Sequence, residues 1–228
     1  MDQSLDQQSA RRGGAYGKAA PKTPRYAMVI DLRRCVGCQA CTVACAMENR
    51  TPLGFQRTFV GDFEVESAGR PRKVLAPRLC NHCQRPACVP ACPVGATFQR
   101  ADGLVLVDRT RCLGCGYCVL NCPYGARFLN HQAKAADKCS LCAHRLDAGL
   151  LPACVETCLG KARVVGDMND PGSAVARLLA ANPKARVYKP EAGTEPRVFY
   201  VGLDEAEDLP QGNPLRPGHV RVTQENFR

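Results

Sequence analysis

The chain has no tryptophan, and aromatic residues make up only 6% of its 228 positions. Aromatic side chains bury the most area apiece, so hydrophobic packing alone is thin support for a chain of this length. No apolar run approaches the ~18 residues of a membrane span, so no transmembrane segment is expected. The stretch "MDQSLDQQSARRGGAYGKAAPKTPR" holds Arg11 and Arg12, but no apolar segment follows them. It therefore reads as a polar tail rather than an export signal. A G-x4-G-K-S/T loop, a G-x-G-x-x-G turn and a Ser/His/Asp set are also missing. Their absence removes the phosphate-cradling and acyl-transfer readings.

What the chain has instead is cysteine, sixteen residues in four tight groups. They are Cys35, Cys38, Cys41, Cys45; Cys80, Cys83, Cys88, Cys92; Cys112, Cys115, Cys118, Cys122; and Cys139, Cys142, Cys154, Cys158. Each group ends in C-x3-C. Disulfide frameworks belong to small secreted scaffolds and do not crowd thiols into C-x2-C pairs, so that reading is set aside. Thiolates select soft metals, which leaves zinc or iron–sulfur clusters. Zinc ribbons use C-x2-C pairs, but two of these groups offer three cysteines at i, i+3 and i+6, a crowding zinc does not use. That spacing is similar to bacterial two-cluster ferredoxins, where the fourth cysteine ligates the other cluster. Cys92-Pro93 and Cys122-Pro123 match the C-P ending of such runs. Four 4Fe–4S clusters are the expected cofactors. Gly37 and Gly114, inside the C-x-G-C turns, leave room for backbone N–H groups to approach the inorganic sulfides.

The formal charge of +10 would suit nucleic acid. An oxidised cubane with four thiolates carries about −2, so four sites bring the holoprotein to about +2. No nucleic-acid partner is then needed.

The chain also repeats itself. "VIDLRRCVGCQACTVAC" (29–45) aligns with "LVDRTRCLGCGYCVLNC" (106–122), and "PACVPAC" (86–92) with "PACVETC" (152–158). The first two share an Asp four residues before the first cysteine and an Arg just before it. "YAMVID" (26–31) and "LVLVD" (104–108) read as strands leading into cysteine loops, and residues 96–108 as a hairpin turning at Asp102-Gly103. Each C-x3-C can open a short helix, because its cysteines lie one turn apart. In "DPGSAVARLLAANP" (170–183), Asp170 is the expected N-cap, Pro171 the first helical residue and Asn182-Pro183 the stop.

The fold class is therefore α+β: two duplicated ferredoxin-like units with long cluster-binding loops and extended termini, a flexible tail over 1–25 and a partner-binding tail over 203–228. His82, inside C-N-H-C, is not needed as a ligand and is expected at the surface or an interface. Arg33, Arg34 and Arg111, beside the cysteines, either tune potentials or are simply solvated. With every iron held by protein thiolates, the chain is expected to carry electrons without a catalytic residue of its own.

Four groups in this order, closed by C-x2-C-x11-C-x3-C, resemble the iron–sulfur subunits of the dimethyl-sulfoxide-reductase family of molybdenum oxidoreductases, over residues 26 to about 205. "ACPVGATFQRADGLVLVD" (91–108), "ADKCSLCAHRLDAGLLPACVETC" (136–158) and "KPEAGTEPRVFYVGLDEA" (189–206) resemble its tetrathionate-reducing branch. Polysulfide, thiosulfate and sulfite relatives share much of the rest, and a free polyferredoxin would use the same cysteines. The resemblance implies a catalytic partner holding molybdenum with a bis-pterin cofactor, and a membrane partner exchanging electrons with quinol. It implies nested units, a first over 26–79 and 123–202 and a second over 80–122, with a first set of Cys35, Cys38, Cys41 and Cys158, and a second of Cys45, Cys139, Cys142 and Cys154. The third is Cys80, Cys83, Cys88 and Cys122, and the fourth Cys92, Cys112, Cys115 and Cys118. It also implies a membrane-associated complex, on the periplasmic face if the chain crosses bound to a signal-bearing catalytic subunit, otherwise on the cytoplasmic face.

Overall fold

The computed structural model describes residues 23–67 and 70–203. The expected tails over 1–25 and 203–228 fall outside these residues, save for 23–25 and Leu203.

The longest buried apolar stretch is strand β1 (Tyr26–Asp31), in which Ala27, Met28, Val29 and Ile30 are essentially inaccessible to solvent. A strand buried on both faces needs apolar residues at consecutive positions, and this one has them. It pairs antiparallel with β8 (Arg163–Asp167) and parallel with β10 (Val198–Val201). Met28 stands opposite Val165 and Val198. A short β9 (Arg186–Val187) completes a sheet of order β8-β1-β10-β9.

Side chains alternate across that sheet with period two. Ala27, Val29 and Val201 pack with Val175 of helix α5 (Ala174–Ala181). Met28, Ile30, Val198 and Tyr200 face the other way, into the core that contains Cys41, Cys80, Cys139 and Cys154. One face of the sheet thus closes a helix, and the other closes the cysteines.

The remaining strands are hairpins. A long one, β2 (Thr58–Ser67) with β3 (Arg70–Leu79), was not anticipated from the sequence. It is anchored where Thr58 Oγ1 donates to the Arg78 carbonyl at 2.7 Å and Tyr200 OH to the Pro77 carbonyl at 3.0 Å. β4 (Thr97–Gln99) and β5 (Val105–Val107) form the hairpin expected around Asp102-Gly103, and Asp102 Oδ1 accepts the Leu104 N–H at 3.0 Å. β6 (Arg127–Asn130) and β7 (Ala135–Lys138) form another, which sets Arg127 opposite Lys138.

Two helix expectations are corrected. Helix α5 starts at Ala174, and its N-cap is Ser173, whose Oγ accepts the Ala176 N–H at 3.1 Å. Asp170 instead accepts the Gly172 N–H at 2.8 Å, so Asp170-Pro171-Gly172 is spent on the preceding turn. Asn182 ends the helix as expected. The C-x3-C segments become helices in three cases: α1 (Ala40–Asn49), α2 (Tyr117–Leu120) and, after α3 (Ala143–Asp147), α4 (Ala153–Glu156). Cys88–Cys92 forms only successive turns, since Pro90 lies inside it and has no N–H to give.

Candidate iron–sulfur centres

Local turns aim the thiols. Asp31 Oδ1 accepts the Arg33 N–H at 3.1 Å, and Asp108 Oδ1 accepts the Thr110 N–H at 2.9 Å. The two aspartates shared by the alike stretches thus cap the same turn before Cys35 and Cys112. Gly37 and Gly114 follow at φ +70 and +69, the left-handed region that favours glycine. Several N–H groups then point at sulfur: Ala162 to Cys158 at 3.2 Å, Leu141 to Cys139 at 3.3 Å, Ala136 to Cys112 at 3.3 Å and Thr97 to Cys92 at 3.4 Å. Such donors stabilise a thiolate.

Cysteines far apart in sequence meet around hollow spaces. Cys35, Cys38, Cys41 and Cys158 line one cavity. Cys80, Cys83, Cys88 and Cys122 line another. Among the described residues, no three His, Cys, Asp or Glu side chains converge as around a single ion; these thiols ring a volume instead. Cys45 lies within electrostatic reach of Cys154 and Cys142, and Cys139 of Cys45 and Cys154. Cys112 and Cys118 share an apolar cluster with Val105 and Ala136. Cys38 and Cys115 are exposed, whereas Cys45, Cys139, Cys142 and Cys154 are all buried.

The charges around these spaces test whether an anionic cluster fits. Six cations are buried among the described residues (Arg57, Arg78, Arg127, Lys138, Arg163 and Arg197), against three buried aspartates (Asp31, Asp102 and Asp137). Arg57 pairs with Asp137 at 2.7 Å. Arg78 lies 3.5 Å over the Tyr188 ring. Arg127 Nε and Arg163 Nη1 are buried without a hydrogen-bond partner. Buried charge in excess is costly unless something anionic sits beside it. Burial pushes the Cys45 and Cys83 thiols up to about 12 and Cys88 up to about 11 in the metal-free chain, so loading must displace their protons. The donor set and the surplus cations both suit thiolate-held 4Fe–4S clusters.

Two family models cover much of the chain. Both are described as a 4Fe-4S dicluster domain, one over residues 34–96 and the other over 72–168. The chain is 60% identical over 196 residues to the beta subunit of tetrathionate reductase from Salmonella typhimurium, covering 85% of this chain and 78% of that protein. It belongs to this family of iron–sulfur subunits. The tetrathionate reductase beta subunit of Archaeoglobus fulgidus is 46% identical over 80% of this chain and 84% of its own length. The selenate reductase beta subunit of Mesobacillus selenatarsenatis is 39% identical over 78% and 72%. Like the family, the chain is a mixed α/β protein with two 4Fe-4S dicluster domains and acts as an electron-transfer subunit.

His82 is not at the surface. It is 2% exposed, and its Nδ1 accepts the Val105 N–H at 3.1 Å. Burial, helped by nearby Lys138 and Arg127, holds it well below the usual histidine range, so it is neutral. The C-N-H-C turn folds inward, and the Val105 N–H holds the ring there. Of the three arginines singled out in sequence, Arg33 pairs with Asp31 at 2.8 Å and Arg111 donates to the Val94 carbonyl at 2.7 Å. Arg34 lines the first cavity beside Cys35, while the buried cations at the cysteine spaces are Arg127 and Arg163. Their signal was legible as an Ala-Arg pair five residues after a closing cysteine, in "CPYGAR" and "CLGKAR".

Proposed function

We propose that the chain holds four 4Fe–4S clusters in the nested arrangement and relays electrons between a quinol-linked membrane subunit and a molybdenum bis-pterin catalytic subunit that reduces tetrathionate to thiosulfate. The observation that carries the relay is the company Cys158 and Cys122 keep, each lining a cavity with three cysteines of another sequence group. This supports the duplicated, nested units, 26–79 with 123–202 around the first two sets and 80–122 around the others. When bound, the clusters supply reversible one-electron storage. The chain's own residues hold each set in place, exclude water from the inner two and expose the outer two. Cys41 lies in electrostatic reach of Cys154, and Cys80 of Cys139. The sets therefore read as a file from first to third, with Arg127 between Cys80 and Cys118 leading to the fourth. Exposed Cys38 and Cys115 mark its two ends.

The acceptor rests on the 60% identity to a protein named for tetrathionate. The selenate-named relative is 39% identical, and choosing the acceptor falls to the catalytic partner's pocket. Among the described residues no helix is long and apolar enough to cross a membrane. Attachment would come through the membrane partner, with the complex on the periplasmic face after co-export with the catalytic subunit.

Two measurements test this. Anaerobically purified complex should yield about sixteen iron and sixteen sulfide atoms per copy of this chain; stoichiometric zinc without sulfide would refute the clusters. The reduced complex should be reoxidised by tetrathionate, followed by absorbance. Rapid reoxidation by polysulfide, thiosulfate, sulfite or selenate with no response to tetrathionate would remove the acceptor and leave the relay.

A further inference from the structure

Arg163 and Arg127 occupy matched places. Each follows the closing cysteine of its group by five residues, Cys158 and Cys122, and each opens a strand, β8 and β6. Each is buried, at 2% and 4% exposure. Each donates to a threonine hydroxyl from another part of the chain: Arg163 Nη2 to Thr58 Oγ1 at 2.9 Å, and Arg127 Nη1 to Thr97 Oγ1 at 3.1 Å. Each also keeps one guanidinium nitrogen buried and unpartnered, Nη1 in Arg163 and Nε in Arg127. Among the described residues neither forms a salt bridge with a carboxylate.

Their neighbours are cysteines. Arg163 lines the cavity of the first set, and Arg127 lines that of the third. Arg127 Nη2 donates to Cys88 Sγ at 3.0 Å. Arg163 also lies within electrostatic reach of Cys154 and Cys139 in the second set, and Arg127 of Cys118 in the fourth. Each guanidinium therefore stands between two sets rather than beside one.

We propose that Arg163 and Arg127 are a matched pair of buried charges, each held by its threonine between two cysteine sets, Arg163 raising the reduction potentials of the first and second clusters and Arg127 those of the third and fourth. The physical reason is direct. An added electron makes a cluster one unit more negative, and a fixed positive charge in a water-poor interior favours that form. Arginine suits the task because its guanidinium stays charged when buried. One charge standing beside two clusters raises both potentials together. This rests on the four-cluster reading, which can fail independently.

The test uses the full-length holoprotein in its complex, with iron and sulfide assayed before each EPR-monitored redox titration. Arg163→Gln should lower the potentials of the first and second clusters by a change in oxidised-to-reduced ratio of about tenfold or more, which is about 59 mV for a one-electron couple. The third and fourth should stay unchanged. Arg127→Gln should show the opposite selectivity. Arg163→Lys and Arg127→Lys, which keep the charge, should remain near the parent values. Full iron with no shift, equal shifts in all four clusters, or lysine shifts as large as those of glutamine would each overturn the proposal. If a glutamine chain loses its clusters, Thr58→Val and Thr97→Val decide. Each should produce a smaller shift in the same pair, and no shift overturns the assignment. A parent protein without iron and sulfide would sink the four-cluster reading itself.

Discussion

Residues 29–45 and 106–122 are alike in sequence, yet they build unequal structures. The shared part is the ligand turn, with its capping aspartate, its left-handed glycine and a second left-handed residue before the helix. That residue is Gln39 at φ 58 in one stretch and Gly116 at φ 79 in the other. A left-handed glutamine costs about 1–2 kcal/mol. Its side chain offsets this, with Nε2 donating to the Val60 carbonyl at 2.8 Å and Oε1 accepting the Val60 N–H at 3.2 Å. The difference traces to the β2–β3 hairpin, which lies against the first turn and gives Gln39 a backbone to hold.

The helices diverge as well. Helix α2 stops after four residues, since Cys122 precedes Pro123, and a residue before proline is disfavoured in helix. Helix α1 runs on through Ala46, Met47 and Glu48 to Asn49. The extra turn carries Glu48 to His144 at 2.7 Å and Arg145 at 3.0 Å, which ties the helix to α3. A repeated ligand pattern preserves the metal turn, while the inserted neighbours decide what surrounds it.

Exchanging the last cysteine of each stretch should break the comparison most severely. Cys45→Ser should perturb the EPR signal of the cluster assigned to Cys139, Cys142 and Cys154, and Cys122→Ser that of Cys80, Cys83 and Cys88. If each instead disturbs the cluster of its own sequence neighbours, the nested arrangement is wrong.

Next comes the residue two positions beyond Cys122 and beyond Cys158, which closes the fourth cysteine group. It is Tyr124 in one segment, where its hydroxyl meets Thr194 Oγ1 at 2.5 Å, and Gly160 in the other. A Cβ on Gly160 would lie 2.0 Å from the Arg34 carbonyl oxygen, a backbone atom that cannot swing aside. Gly160→Ala should cost about 3 kcal/mol and lower iron content by about four atoms per chain. Full iron by assay, with an unaltered denaturation midpoint, would show that the backbone there can shift.

The two turn glycines sharpen the comparison further. An alanine at Gly114 would press 3.2 Å against the Lys134 carbonyl, whereas at Gly37 it would meet only the movable end of Leu75 at 3.1 Å. Both substitutions should destabilise by about 1–2 kcal/mol from the left-handed backbone, and Gly114→Ala by more. Thermal unfolding of the two holoproteins should rank them in that order.

The smallest effect is expected at Gln39. Gln39→Gly relieves the backbone but removes both bonds to Val60, so stability should change by less than about 1 kcal/mol. A loss well beyond that in denaturant titration would mean that Gln39 positions the cysteine turn as well as the hairpin.

Sequence alone determined the donor chemistry. Sixteen cysteines in C-x2-C and C-x3-C spacing restrict the metal by softness and crowding, and that restriction needs no coordinates. β1 and the Asp102-Gly103 hairpin were legible for a similar reason, since an unbroken apolar run and a turn dipeptide act within a few residues. Tertiary structure alone decided what the cysteines face. His82 turned inward, where the distant Val105 N–H meets its ring, and Ser173 displaced Asp170 as the helix cap once Gly172 had closed its own turn. The buried charges against the cysteine spaces are likewise Arg127 and Arg163, whereas of the arginines adjacent to cysteine in sequence only Arg34 lines one, without being buried. A strand can carry a residue five positions past a ligand back across the core, whereas Arg33, in the turn itself, is held by Asp31. Covalent spacing sets the donor chemistry; only the packing of distant segments sets which cysteines and which fixed charges share a space.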